Sequence, residues 1–134
     1  MLRWAQNPRG ALAAFRVAPL VPGLVTEIDG DQQGGQFGFS LDGAGDFDGD
    51  GYDDLIVGAS LVDAPASNAG ASYVIYGGAT VGSSGNLNLA SLSASTGLKL
   101  SGVAADDISG FSVSSAGDVN GDGYDDLIIG AKDA

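Results

Sequence analysis

Two short acidic loops carry most of the residues able to do chemistry in this chain. Asp46, Asp48, Asp50 and Asp54 stand at positions 1, 3, 5 and 9 of the first loop. Asp118, Asn120, Asp122 and Asp126 stand at the same positions of the second, 72 residues later. Glycines fill positions 4 and 6 of both: Gly49 and Gly51, then Gly121 and Gly123. Alternate residues of a tight loop can aim their side chains at one centre. A cluster of hard oxygens of this kind suits Ca²⁺, which takes six to eight oxygens at about 2.3–2.6 Å. Two Ca²⁺ sites per chain are expected. Without a cation the carboxylates repel one another, so metal binding should be linked to folding. The second loop has the neutral Asn120 where the first has Asp48, and fewer charges predict a weaker site.

Composition narrows the remaining chemistry. The chain has seventeen acidic and five basic residues, and nine of the acids lie in the two loops. Its formal charge of −12 is therefore concentrated at two points, unlike that of a solvated acidic tail. So few cations argue against a nucleic-acid partner, since phosphate neutralisation needs a basic surface. Histidine is absent, which removes the commonest general base, and outside the loops no cluster of acid, base and nucleophile stands out. Cysteine is absent as well, so neither a disulfide framework nor a thiolate metal site is available. No apolar run reaches the length of a membrane span, about 18 residues. The apolar stretch near the N-terminus is interrupted by Arg16 and Pro19 and lacks a clear cleavage site. It reads as a degenerate piece of the repeat described next rather than as a signal peptide.

The elements that must position the loops repeat with them. Residues 38–59 align with 110–131 without a gap, and 16 of 22 positions are identical. Weaker matches of hydrophobic character run further back, with Gly30 on Gly102 and Met1-Leu2-Arg3-Trp4 on Tyr73-Val74-Ile75-Tyr76. One unit parses into four strands: A at 37–45, leading into the loop; B at 54–59, leading out of it; C at 69–77; and D at 97–102. β-Branched and aromatic content, with Gly, Ser and Asn clusters between runs, favours strands over helices. Strand B is apolar without alternation, as in a strand covered on both faces. Residues 81–96 read as a loop or a short irregular strand. The expected organisation is a C/D-like half unit at 1–34, a full unit at 35–103 and an A/B half unit at 104–134. The halves missing at the two ends are complementary.

Gly38-Phe39-Ser40, Gly43-Ala44-Gly45-Asp46, the loop, and Asp54-Leu55-Ile56-Val57-Gly58-Ala59 together resemble an FG-GAP repeat. So do Gly110-Phe111-Ser112, Ala116-Gly117-Asp118 and Asp126-Leu127-Ile128-Ile129-Gly130-Ala131. Such repeats form the blades of the integrin alpha-subunit β-propeller and of many bacterial surface proteins. The resemblance implies an all-β fold of four-stranded antiparallel blades, about two per chain, with one blade split between the termini. It also implies calcium in the loop between strands A and B, held by Asp46, Asp48, Asp50, the Tyr52 carbonyl and Asp54, and again by Asp118, Asn120, Asp122, the Tyr124 carbonyl and Asp126. An EF-hand would need a Glu at position 12 and flanking helices; Val57 and Ile129 stand there, inside β runs. A dockerin-type module would likewise need a helix after the loop.

Three classes of function follow: a calcium-stabilised binding or adhesion scaffold, extracellular or at a cell surface; a self-assembling structural module, forming a ring or fibre, or a fragment of a larger propeller; and, least favoured, an accessory piece of an enzyme. The partners expected are a second copy of the chain, through blade completion, and a protein or glycan ligand. Fold analogy alone carries the adhesion reading. Of the other polar residues, Asp53 and Asp125 at loop position 8 read as solvated or turn-bonding rather than as ligands. Asp106 and Asp107 read as a turn, Trp4 and Tyr76 as packing residues, and Lys99 and Lys132 as exposed.

Overall fold

A computed structural model describes residues 3–7, 10–16, 25–30, 32–63, 65–79, 81 and 86–134. Strands β1 (Arg3–Asn7), β2 (Gly10–Arg16) and β3 (Val25–Asp29) come first. Next come β4 (Phe37–Gly45), β5 (Asp54–Ala59) and β6 (Ala71–Ile75), then the short β7 (Asn86–Asn88). A 3-10 turn at Leu89–Ser91 precedes β8 (Gly97–Ser101), β9 (Ser109–Gly117) and β10 (Asp126–Ala131). No α-helix occurs among the described residues, and none of them forms a helix long and apolar enough to cross a membrane.

The central sheet has the order β4-β5-β6-β8 and is antiparallel throughout. Its first two strands fall on the bounds expected for A and B, and β6 and β8 lie within those expected for C and D. Pairing places Leu55 opposite Ile75, Val57 opposite Tyr73 and Ala59 opposite Ala71. Side chains alternate along a strand, so these six residues share one face. Val57, Ala59, Ala71, Tyr73 and Ile75 pack there with Phe37 and Val62, and with Ile28 and Leu89 from outside the sheet. Phe37 meets Tyr73 edge to face, with centroids 5.7 Å apart at 75°, an arrangement that adds about 0.5–1.5 kcal/mol to simple burial.

The opposite face meets β9. Ser40 Oγ donates to the Gly110 carbonyl at 2.8 Å. A Cβ on Gly58 would collide with that same carbonyl, so the two sheets approach closely only because Gly58 has no side chain. At the strand end, Ser109 N–H donates to Ala69 O at 2.9 Å and Ile108 N–H to Asn68 O at 3.1 Å. The central sheet is thus a layer between the N-terminal sheet and the β9-β10 pair, as expected where β5 and β6 are buried on both faces.

The N-terminal sheet, of order β1-β2-β3-β7, corrects one expectation. β3 lies 72 residues before β8, as the repeat requires. Its antiparallel neighbour, however, is β2, with β1 beyond it. Arg3 and Trp4 therefore belong to the strand beyond position C, and Met1 and Leu2 lie outside the described residues. The cause is the length of the connector, which has 8 residues between β2 and β3 but 21 between β6 and β8. A fixed offset of 72 fails ahead of β3. Three strands, β1 to β3, therefore precede the full unit where two were expected. The long connector also has a use: β7, within it, pairs in parallel with β3, Ile28 facing Leu87. Asn88 Oδ1 caps the following turn by accepting from Ala90 N–H at 2.9 Å, which seats Leu89 in the core. The connector straps the full unit onto the preceding sheet.

Candidate metal centre

The first loop joins β4 to β5. Gly49 and Gly51 have φ of 79° and 90°, the left-handed region that glycine enters without steric cost. Asp46 Oδ2 accepts from Gly51 N–H at 3.0 Å, Asp48 Oδ1 from Asp50 N–H at 3.1 Å, and Asp50 Oδ1 from Tyr52 N–H at 2.9 Å. These bonds fold the loop on itself and gather Asp46, Asp48 and Asp50, each contributing one carboxylate oxygen within 4.8 Å of the others. Asp46 Oδ1 is buried and accepts no hydrogen bond. A buried carboxylate oxygen without a donor is costly unless a cation satisfies it, so the donor set fits a hard metal ion. Such an ion, held by Asp46, Asp48 and Asp50, would neutralise their mutual repulsion and cross-link the loop.

Asp54 stands apart from that group. It is 1% exposed. Its Oδ2 accepts from Phe47 N–H at 2.8 Å and Asp48 N–H at 3.3 Å, and its Oδ1 from Gly77 N–H at 2.7 Å. Burial pushes its pKa up, opposed by the amides of Gly77, Phe47 and Asp48. The carboxylate at position 9 therefore ties the loop to the end of β6. Tyr52, expected to offer its carbonyl, is exposed on the loop.

The second loop, between β9 and β10, copies the backbone of the first, with Gly121 and Gly123 at φ 78° and 94°. Asn120 Oδ1 accepts from Asp122 N–H and Asp122 Oδ1 from Tyr124 N–H, both at 2.9 Å. Asp126 Oδ2 accepts from Val119 N–H at 2.9 Å, the counterpart of the Asp54–Phe47 bond. Asp118 differs from Asp46. Its Oδ1 takes Gly121 N–H at 2.7 Å and Asp122 N–H at 3.1 Å, and its Oδ2 takes Gly123 N–H at 2.8 Å. These amides, Gly123 foremost, lower its pKa. Both Asp118 oxygens are thus already satisfied from within the loop.

One residue of the site was not expected from the sequence. Asp125, at position 8 of the second loop, places Oδ2 2.9 Å from Asp46 N–H, and its own N–H donates to Asp46 O at 3.3 Å. The only sequence signal was the recurrence of an acid at position 8, which also fits a solvated turn. By contrast, Asp107 makes the turn expected of it, accepting from Ala104 N–H at 2.7 Å. Lys132 Nζ lies 5.4 Å from the Phe111 ring centroid, and Lys99 Nζ 5.3 Å from that of Tyr73.

A four-stranded antiparallel sheet stacked between neighbouring sheets is the arrangement of a β-propeller blade, and here the loop between its first two strands is acidic. Residues 37–75 and 109–134 match the family model of the FG-GAP repeat, and these two segments are FG-GAP repeats. The chain is similar to integrin alpha pat-2 of Caenorhabditis briggsae, 35% identical in an alignment 133 residues long that covers 96% of this chain and 10% of the relative. It is 34% identical to integrin alpha pat-2 of Caenorhabditis elegans, over 90% of this chain and 9% of that protein. It is 33% identical to integrin alpha-PS2 of Drosophila melanogaster, over 80% of this chain and 7% of that protein. The chain thus spans about a tenth of the length of the relatives it matches.

Proposed function

We propose that this chain is a calcium-binding FG-GAP propeller module that works as an extracellular or cell-surface binding scaffold rather than as an enzyme. The observation that carries the calcium reading is the buried, unpartnered Asp46 Oδ1 beside Asp48 and Asp50. Each loop takes one ion in this reading. Asp46, Asp48, Asp50 and Asp54 with the Tyr52 carbonyl serve the first, and Asp118, Asn120, Asp122 and Asp126 with the Tyr124 carbonyl serve the second. Similarity to integrin alpha subunits supports adhesion through a protein or glycan ligand. Calcium supplies rigidity to the blades, and loops outside the metal sites select the ligand.

The β9-β10 pair supports a further part of this reading. Among the described residues β10 pairs only with β9, and Ile128 on it is 60% exposed. A strand edge and an apolar side chain left in this state invite another strand. We propose that a further blade completes this sheet, supplied by a second copy of the chain. Light scattering after size exclusion, in calcium and then in chelator, tests it. A defined multiple of 13.2 kDa that dissociates in chelator supports completion by copies. A folded monomer in calcium overturns it and leaves the calcium-binding scaffold standing.

A further inference from the structure

The first loop is not built by its own repeat alone. Asp125 reaches back across the sheet interface and holds Asp46 from both sides of its backbone. The Asp125 carboxylate accepts from the Asp46 amide at 2.9 Å, and the Asp125 amide donates to the Asp46 carbonyl at 3.3 Å. The approach depends on Gly45, where a Cβ would collide with the Asp125 carboxylate. Tyr124 next to it closes over Gly49, where a Cβ would strike the tyrosine ring. The second loop supplies an internal comparison. Gly117 and Gly121, the counterparts of Gly45 and Gly49, have nothing within 4 Å of an added Cβ. Asp53, the counterpart of Asp125, is exposed.

We infer that Asp125 is a positioning residue for the cation site of the preceding repeat, so that cation affinity in the first loop depends on docking of the second repeat. The inference rests on the calcium reading above. The reasoning is local. Asp46 is the first residue after β4, and its Oδ1 is the oxygen left without a partner. Fixing the Asp46 backbone from both sides fixes where that oxygen points. In the second loop, Asp118 Oδ1 accepts from two amides of its own loop. A cation there must first displace them. Binding of the cation and docking of β9-β10 are then coupled, and the coupling acts in both directions.

The test is calorimetric titration of Ca²⁺ into the whole chain carrying Asp118→Ala, which leaves the first loop as the site read. Into that background go Asp125→Asn, whose amide oxygen still accepts from the Asp46 amide, and Asp125→Ala, which cannot. Asp125→Ala is expected to weaken Ca²⁺ binding about tenfold or more, the scale of one charge-assisted hydrogen bond. Asp125→Asn should stay within about threefold of the background chain, a tenfold step being a full hydrogen bond's worth. Equal weakening by both variants would mean that the charge of Asp125 matters and its grip on Asp46 does not, which overturns the inference. No weakening by either also overturns it while leaving the calcium reading intact. Absence of Ca²⁺ binding to the unsubstituted chain removes both. Should Asp125→Ala fail to fold, amide exchange in the unsubstituted chain decides: Ca²⁺ must slow exchange at Asp46 N–H and in β10, and an unchanged β10 contradicts the coupling.

Discussion

Asp54 accepts a hydrogen bond from Gly77 N–H at 2.7 Å while its other oxygen holds Phe47 N–H at 2.8 Å. One buried carboxylate therefore joins the start of the loop, the start of β5 and the chain leaving β6. These bonds hold the loop to the sheet whether or not a cation is bound. Asp54→Ala should cost about 2–3 kcal/mol, because buried amides lose their acceptor. Asp54→Asn should also destabilise, since an amide offers a single acceptor oxygen to three donors. Urea unfolding in chelator checks this, and the loss should persist without calcium. Asp50→Ala, on the exposed side of the loop, should instead destabilise far more in calcium than in chelator.

The two loops should differ in affinity, the first binding Ca²⁺ more tightly. Two causes act in the same direction: Asn120 lowers the charge of the second loop, and Asp118 is already bonded within it. Asn120→Asp separates them. Restoring the charge should narrow the gap without closing it, as read by titrating the single-site variants Asp46→Ala and Asp118→Ala with and without the change.

Gly45→Ala and Gly117→Ala form a matched pair. Their φ values, 63° and 66°, impose the same strain on a new side chain, about 1 kcal/mol or somewhat more. Only at Gly45 does the added Cβ also meet Asp125. Thermal unfolding should show Gly45→Ala as the clearly more damaging of the two, by about 1 kcal/mol or more for the lost hydrogen bonds between sheets.

Acid should loosen the contact between β4 and β9. Ser114 Oγ donates to Asp42 Oδ2 at 2.7 Å, and this bond holds the Asp42 pKa below its ordinary value of 3.8. A carboxylate whose pKa is depressed on folding adds stability above its unfolded pKa. That contribution is lost as pH falls from about 3.8 through the lower folded value. Ser114→Ala should remove this part of the acid dependence by lowering stability at neutral pH, slightly because the site is exposed, with the two chains converging in acid. Chemical unfolding of both chains across acid pH measures it.

Much of this architecture was legible before any coordinates. The bounds of β4 and β5 follow from the identical repeats around Asp46 and Asp118, where loop chemistry, Gly-Phe flank and apolar strand recur together. The grouping of Asp46, Asp48 and Asp50 follows from their alternation through a glycine-rich loop. Strand β2 was not legible, because a fixed offset cannot see that the connector ahead of β3 is shorter. β7 was legible only as one of two readings of residues 81–96, a loop or a short irregular strand, and its pairing with β3 goes with the seating of Ile28 and Leu89 in a shared core. Asp125 escaped for a similar reason. Its partner lies 79 residues away, and spacing within a loop says nothing of contacts between loops.

Unfolding followed by circular dichroism, in chelator and then in rising Ca²⁺, tests the central claim most directly. The account predicts a midpoint that climbs with Ca²⁺, with stabilisation of about 2.7 kcal/mol per site once the free ion is at a hundred times its dissociation constant. It also predicts that Asp46→Ala removes a large share of that gain. An identical midpoint in chelator and in millimolar calcium would contradict it, and the acidic loops would then be turns and nothing more.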